Sequence, residues 1–414
     1  MTEELPDRTL GGGSIRQAHL FEALAAAFPV DLLLAGSLVD ARVRRAASGV
    51  EELRKRQAPW SENSVLRRAL ELGITLCSPY PSAAYPAGPN RRTLARAAAA
   101  RSSSYGLVCV EHESLAPIVR ALASVPSVIT FHHLISEMVR QSVRHTAGSR
   151  QRWYLERDLR KARRMETHAL NAYDRVIVCS PEDASAVSRL GDGAATGKIR
   201  VVPNGVDIAA FHSQDVPAEP RVLFPGSLGY APNVDGARWF CAEVWPRVRD
   251  AVPDAELILA GRDPVPEVAA LAASPGISVH ANVPSMAEYF ARARVVVVPL
   301  RVGTGTRLKA LEAMASGRPV VGTSVGLEGI GAIDGTHALV RDDPAAMAAG
   351  VVEALERDRL AHALGEAART HVERSFSWDR IGAQFVAVVS ELMPGVSTDP
   401  AELPLPAPAP AAPG

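Results

Sequence analysis

The chain has 414 residues, 47% hydrophobic and 22% charged, a balance that fits globular domains and excludes a largely disordered or membrane-embedded polypeptide. That length exceeds what a single hydrophobic core organises well, so two domains are expected. The 45 basic and 45 acidic residues cancel, which argues against nucleic acid or another polyanion as partner.

In chain order, Gly11, Gly12 and Gly13 open a turn into a helix expected over residues 14–28, where Leu20, Phe21, Leu24 and Phe28 share one side. Residues 31–36 read as a short strand. Further strands are expected at 74–77, 107–110, 127–130 and 175–179, with segments of helical length between them. Strong turn chemistry follows in Val202-Pro203-Asn204-Gly205-Val206-Asp207, and the polar, proline-bearing stretch 212–220 suits a domain junction. Strands then restart at 221–225, 256–260, 277–280, 295–300 and 319–322, each leading into a helical stretch such as 234–249. This alternation predicts an α/β chain of two Rossmann-like, doubly wound domains facing a cleft, with ligands at the carboxyl ends of the strands. The domains are placed at 1–205 and 206–379, and a final helix over 380–393 is expected to pack back onto the first. The Pro/Ala-rich tail 394–414 cannot build a core and is expected to be disordered. A doubly wound domain starts with a strand before its first glycine turn. Only Met1 to Leu10 precede Gly11, so that strand is expected to be largely missing from this numbering, as if truncated.

The four cysteines, Cys77, Cys109, Cys179 and Cys241, show no CxxC pairing or metal-type spacing, which favours buried thiols in a reducing cytosol. No apolar run approaches membrane-spanning length, and Met1-Thr-Glu-Glu is unlike a signal peptide, so a cytoplasmic location is expected.

The most informative stretch runs from Val295 to Val321. The apolar run 295–300 reads as a strand buried on both faces. Gly303 and Gly305 let the backbone turn sharply, and Thr306 is expected to cap the helix that follows. Free amides at that helix start, with Arg307 and Lys309 beside them, form a site for an anion such as a diphosphate.

These residues, with Val202-Pro203-Asn204-Gly205-Val206-Asp207, Gly226-Ser227-Leu-Gly-Tyr230, Leu257-Ile-Leu-Ala-Gly261 and Gly317-Arg-Pro-Val-Val321, resemble the donor half of glycosyltransferase family 4. More loosely, Gly11 to Arg16, Phe131-His132-His133 and residues 166–180 resemble its acceptor half. The resemblance covers residues 8–393 and extends to the subgroup whose donor segment reads GTGTR-x-K-x-LEAMA. It implies the GT-B fold and a retaining, metal-independent transferase acting on a nucleotide-diphosphate sugar, in glycan, polysaccharide or glycolipid biosynthesis. No cofactor and no metal ligand are implied.

Residue by residue, the resemblance gives Glu312 the ribose hydroxyls, a role suited to a carboxylate that accepts two hydrogen bonds. On its helix, Leu308, Leu311 and Ala315 are expected to form the buried stripe. Arg307 and Lys309 would neutralise the departing diphosphate. Gly226 and Ser227 would approach the phosphates, with Gly303, Thr304, Gly305 and Thr306 lining the donor and Asn282 and Val283 the base. His132 would contact the sugar near the reacting centre, although a histidine just after a strand also serves as a core or capping residue. Gly11, Gly12 and Gly13 would let the first helix approach phosphate or acceptor.

Departures from the pattern are specific. Thr304 stands where many members carry a glutamate, the usual cation after the first donor-domain strand is absent near Asn233 and Asp235, and Ala281 replaces a common glycine. They leave sugar and base open. A basic segment, 140–164, with Trp153 and Tyr154 inside it, reads either as a solvated helix face or as a peripheral membrane contact presenting a lipid-linked acceptor. A polysaccharide acceptor fits equally. Two rival functions use the same fold: a sugar-nucleotide epimerase and a non-catalytic nucleotide-binding partner subunit.

Overall fold

The computed structural model of the protein describes residues 12–36, 40–53, 78–84, 88–122, 125–146, 148–191 and 193–393. Gly11, the strand expected at 74–77 and the tail 394–414 lie outside the described residues. The chain divides into two compact units, Met1–Val202 with Asp379–Gly414, and Pro203–Trp378.

The second unit is a six-stranded, all-parallel sheet built from β7 (Arg221–Pro225), β8 (Glu256–Gly261), β9 (Ile277–Ala281), β10 (Val295–Val298), β11 (Val320–Gly322) and β12 (Leu339–Val340). The spatial order is β12-β11-β10-β7-β8-β9. Order therefore reverses between β7 and β10, the switch point at which a parallel sheet opens a crevice beyond its carboxyl ends. The apolar run 295–298 follows from burial on both faces. Val295 and Val297 pack with Val222, Phe224 and Leu257, whereas Val296 and Val298 pack with Leu223, Ala310 and Leu311. The strand stops at Val298, before the expected residue 300, because Pro299 has no N–H to continue the ladder.

The helical stretch expected at 234–249 forms within residues 231–251 and carries a π-bulge: a helix Ala231–Trp239 passes through a π-helical segment, Phe240–Val244, into Trp245–Ala251. Pro246 removes one backbone donor, and the widened turn accommodates the defect.

The first unit holds a four-stranded parallel sheet, β3 (Val108–Glu111), β4 (Ser127–Thr130), β5 (Arg175–Val178) and β6 (Ile199–Val201), in that spatial order. A separate parallel pair joins β1 (Asp31–Ala35) to β2 (Gly49–Leu53). A cavity of about 400 Å³, lined by Leu20, Leu24, Leu33, Val108 and Phe385 among others, lies alongside both sheets. The helix Trp378–Ser390 packs on this unit: Gly382 lies against Ala23, Gln384 donates to the Val201 carbonyl at 2.9 Å, and Glu391 just beyond the helix pairs with Arg175 and Arg200. Cys109, Cys179 and Cys241 are free, and burial pushes each thiol up to about 12, so none is poised as a nucleophile.

Candidate active site

In the second unit the site grows from the ends of β7 and β10. Gly226 follows β7 with φ +140°, and its amide donates to the Ala260 carbonyl at 3.0 Å. Glycine suits this φ, which strains any other residue, and a Cβ would also stand 2.7 Å from Lys309 Nζ and 3.0 Å from Asn233 Nδ2. Neighbouring Gly261 is pressed harder still: its Cβ would meet the Gly226 carbonyl oxygen at 1.6 Å.

Lys309 Nζ donates to Asn233 Oδ1 at 2.6 Å, and Asn233 Nδ2 donates to the Ser227 carbonyl at 2.7 Å. The cation that the sequence lacks after β7 thus arrives in space from the helix Leu308–Ala315. Burial, then the charge of Arg307, lower Lys309 from 10.5 to about 7, against an opposing pull from Glu312. On the same helix, burial raises Glu312 from 4.5 to about 7, opposed by Lys309. Glu312 is half-buried, and among the described residues its carboxylate has no hydrogen bond or close ion pair. It is an acceptor with capacity left over. Leu311 and Ala315 are buried as expected, but Leu308 is only half-buried, and Ala310, Ala313 and Met314 complete the packed surface.

The glycine-rich loop is held from within. Gly303 (φ +149°) and Gly305 (φ +79°) take the positive φ their position requires. Arg307 turns its guanidinium inward: Nε donates to the Val325 carbonyl at 2.9 Å, Nη1 to Thr304 O, and Nη2 pairs with Glu328 at 3.1 Å. Its side chain is 8% exposed, so it shapes the loop around Gly303 and presents little surface beside Lys309. Thr306 does not cap the helix. The N-cap is Arg307, without any side-chain cap bond, and Thr306 Oγ1 instead accepts from the Asn204 amide at 3.1 Å. Asn204 Nδ2 returns a bond to the Thr306 carbonyl, so the Asn204-Gly205 turn braces the loop. Thr304 is buried within it.

Asn282 and Val283 lie farther along the sheet. Asn282 has φ +53°, and its Oδ1 accepts from the Asp263 amide at 3.1 Å, pinning the turn after β8. Val283 packs at the edge of the core beside Met286 and Tyr289.

The first unit carries a second polar cluster at the ends of β3 and β4. His132 follows β4, with its side chain 6% exposed and Nε2 at 3.3 Å from Glu111 Oε2. Its backbone amide donates to Glu113 Oε2 at 3.1 Å, and its Nδ1 is buried without a hydrogen-bond partner. Burial would raise the Glu113 carboxyl, but the charges of His112, His133 and His132 hold it well below the usual carboxylate range. Glu111 is likewise lowered: bonds from His132 and Thr130 and the charge of Arg16 outweigh its burial. Glu166, at the start of the 166–180 stretch that resembles the acceptor half, is buried and raised by that burial to about 7, and Oε1 accepts from the Ser136 amide. Gly12 and Gly13 form the first turn of the helix Gly12–Ala27, with Gly12 exposed. His112, Glu111 and Glu113 were not singled out from sequence; the run Glu111-His-Glu113 closing a strand was the available signal. His112 also has φ 94°, a costly backbone for a non-glycine residue.

Residues 10–210 match the family described as Glycosyltransferase Family 4, and residues 219–357 match Glycosyl transferases group 1. The fold is that of the GT-B glycosyltransferases. Over 251 residues it is 28% identical to the glycogen synthase of Mycobacterium tuberculosis, covering 57% of this chain and 58% of that protein. The chain thus spans little more than half the length of the curated relatives it matches. In fold, the chain is similar to sucrose-phosphate synthase from Thermosynechococcus elongatus (TM-score 0.66, 21% identity, 92% of this chain and 94% of that one). It is also similar to Anabaena HepE in complex with UDP and glucose (TM-score 0.62, 14% identity, 94% and 98%). Among the described residues of this GT-B chain, no helix is long and apolar enough to cross a membrane.

Proposed function

We propose that the protein transfers a sugar from a nucleotide-diphosphate sugar to an acceptor hydroxyl with retention of anomeric configuration. The observation that carries this reading is the convergence of Lys309, the Gly226 turn and the open Glu312 carboxylate at the switch point of the second unit. Glu312 accepts from the ribose hydroxyls. Lys309, beside the close-approach turn at Gly226 and Ser227, meets the diphosphate, and Arg307 keeps the 303–306 loop shaped to receive it. A fixed cation aimed at the leaving group supplies the stabilisation that other transferases draw from a divalent metal. The C–O bond between anomeric carbon and β-phosphate breaks as the acceptor oxygen bonds from the same face. The acceptor proton passes to the departing phosphate oxygen. His132, fixed by Glu111 and Glu113, orients the sugar.

Supporting the donor assignment, a protein of similar fold is described with UDP and glucose, so UDP-glucose is the first donor to test. The acceptor class we infer is a glycan or lipid-linked hydroxyl. Trp153, 47% exposed on the basic helix Ser149–Ala172, offers a peripheral contact for a membrane that presents one. The deciding experiment incubates the protein with a panel of nucleotide sugars and follows both released nucleotide diphosphate and the recovered sugar nucleotide. Slow donor hydrolysis, accelerated by acceptor, supports the transferase. An isomerised donor supports an epimerase, and binding without turnover a partner subunit.

A further inference from the structure

We propose that Arg262 is a second cation for the donor's diphosphate, reaching it from the β8 side of the Gly226 turn. The assignment rests on the donor reading above and names a residue that reading does not use. In the sheet, β7 lies between β10 and β8. Lys309 comes to the Gly226 turn from the helix that follows β10. Arg262 comes to the same turn from the other neighbour, as the first residue after β8. Its backbone is anchored there, because the Arg262 carbonyl accepts from the Leu228 amide at 2.7 Å. One residue on, the Asp263 amide donates to Asn282 Oδ1 at 3.1 Å. Arg262 is therefore placed between the Gly226 turn and the 282–283 loop.

The remaining cations at the ends of these strands are already engaged. Arg301 pairs with Asp235, Arg307 turns inward to Glu328 and two carbonyls, and Lys309 donates to Asn233. Arg262 differs: it is half-buried, and among the described residues its guanidinium makes no hydrogen bond, ion pair or ring contact. Even the adjacent Asp263, which is exposed, makes no ion pair with it. A partly desolvated charge without a partner is costly, and a bound anion offsets that cost. The diphosphate also needs a second cation. Burial and the charge of Arg307 lower Lys309 to about 7, so near neutrality it carries only part of a charge against a group with several negative ones. An arginine keeps its charge and presents a planar fork of donors that matches phosphate oxygens. Arg262 thus supplies the share of diphosphate binding that does not depend on the Lys309 proton.

The test titrates uridine, guanosine and adenosine diphosphates and inorganic pyrophosphate calorimetrically into wild type, Arg262→Gln, Arg262→Lys and Lys309→Met. Arg262→Gln should bind the preferred diphosphate roughly 10–100-fold more weakly, as expected for one lost charge-assisted contact. Its ligand-free thermal midpoint should match wild type, since no internal bond is removed. Pyrophosphate affinity should fall by the same factor, and Arg262→Lys should recover part of the loss by restoring the charge. Wild-type diphosphate affinity in Arg262→Gln, with Lys309→Met weakened, would overturn this assignment and leave the donor reading in place. A loss for the nucleotide without one for pyrophosphate would move Arg262 to the nucleoside and overturn it too. No diphosphate bound by the wild type would overturn the donor reading and this assignment together.

Discussion

Replacing Glu312 by glutamine should stabilise the free protein and weaken its hold on nucleotide. The carboxylate has no close partner among the described residues, and burial lifts it from 4.5 to about 7. The sign follows from proton linkage. Between pH 4.5 and 7 the folded state holds a proton that the unfolded state has released, so stability falls as pH rises through that window. At about 1.4 kcal/mol per pH unit, the penalty above pH 7 reaches about 3 kcal/mol. Glutamine keeps the shape without the charge and should recover about 1–3 kcal/mol at pH 8, several degrees in thermal midpoint for a unit of this size. Nucleotide binding moves the other way. Two charge-assisted bonds to a ribose diol, each about 1.5–3 kcal/mol, become neutral ones of about 0.5–1.5 kcal/mol. Affinity for UDP should then drop at least roughly tenfold. Scanning fluorimetry across pH 5–9 with calorimetric titration of UDP reads both effects. A variant that is less stable at pH 8 and binds UDP as tightly as wild type would refute the reasoning.

Lys309, lowered from 10.5 to about 7, sheds its proton near neutrality in the free protein. Diphosphate affinity should be full below pH 7 and decline above it by up to about tenfold per pH unit; Lys309→Met should abolish that decline, as titrations at several pH values would show. Gly226→Ala places a methyl 2.7 Å from Lys309 Nζ at φ +140°, so it should lose about 1–3 kcal/mol of stability together with most nucleotide affinity. Wild-type affinity for UDP in that variant would count against the turn as part of the site. His132→Ala should lower the transfer rate by roughly a hundredfold at unchanged UDP affinity, measured by kinetics and titration side by side; an equal loss of UDP affinity would remove His132 from the sugar-orienting role.

Much of the second unit was legible because its strands are buried on both faces. The valine run 295–298 can be little else, and Gly226, Gly303 and Gly305 mark turns that demand positive φ. Three strands escaped: Gly49–Leu53, Ile199–Val201 and Leu339–Val340. Two of them span three residues or fewer, and the first carries Glu51 and Glu52 in place of an apolar run. At the site, residue type was readable but direction was not. Arg307 and Lys309 are two positions apart, yet one faces inward to Glu328 and the other reaches Asn233, a distinction set by the loop path. Thr306 had the chemistry of a cap, but Asn204, 102 positions away, claims its hydroxyl. The cluster of His112, Glu113 and His133 was invisible for a similar reason. Parallel pairing of β3 with β4 brings its residues together from separate strand ends.

The most direct measurement is release of nucleotide diphosphate from UDP-glucose and its relatives, compared between wild type and Lys309→Ala. The account predicts slow release from at least one donor, faster when acceptor hydroxyls are added, and a collapse of both rates in the variant. Identical rates in the two proteins, or no donor bound or cleaved by the wild type, would contradict it.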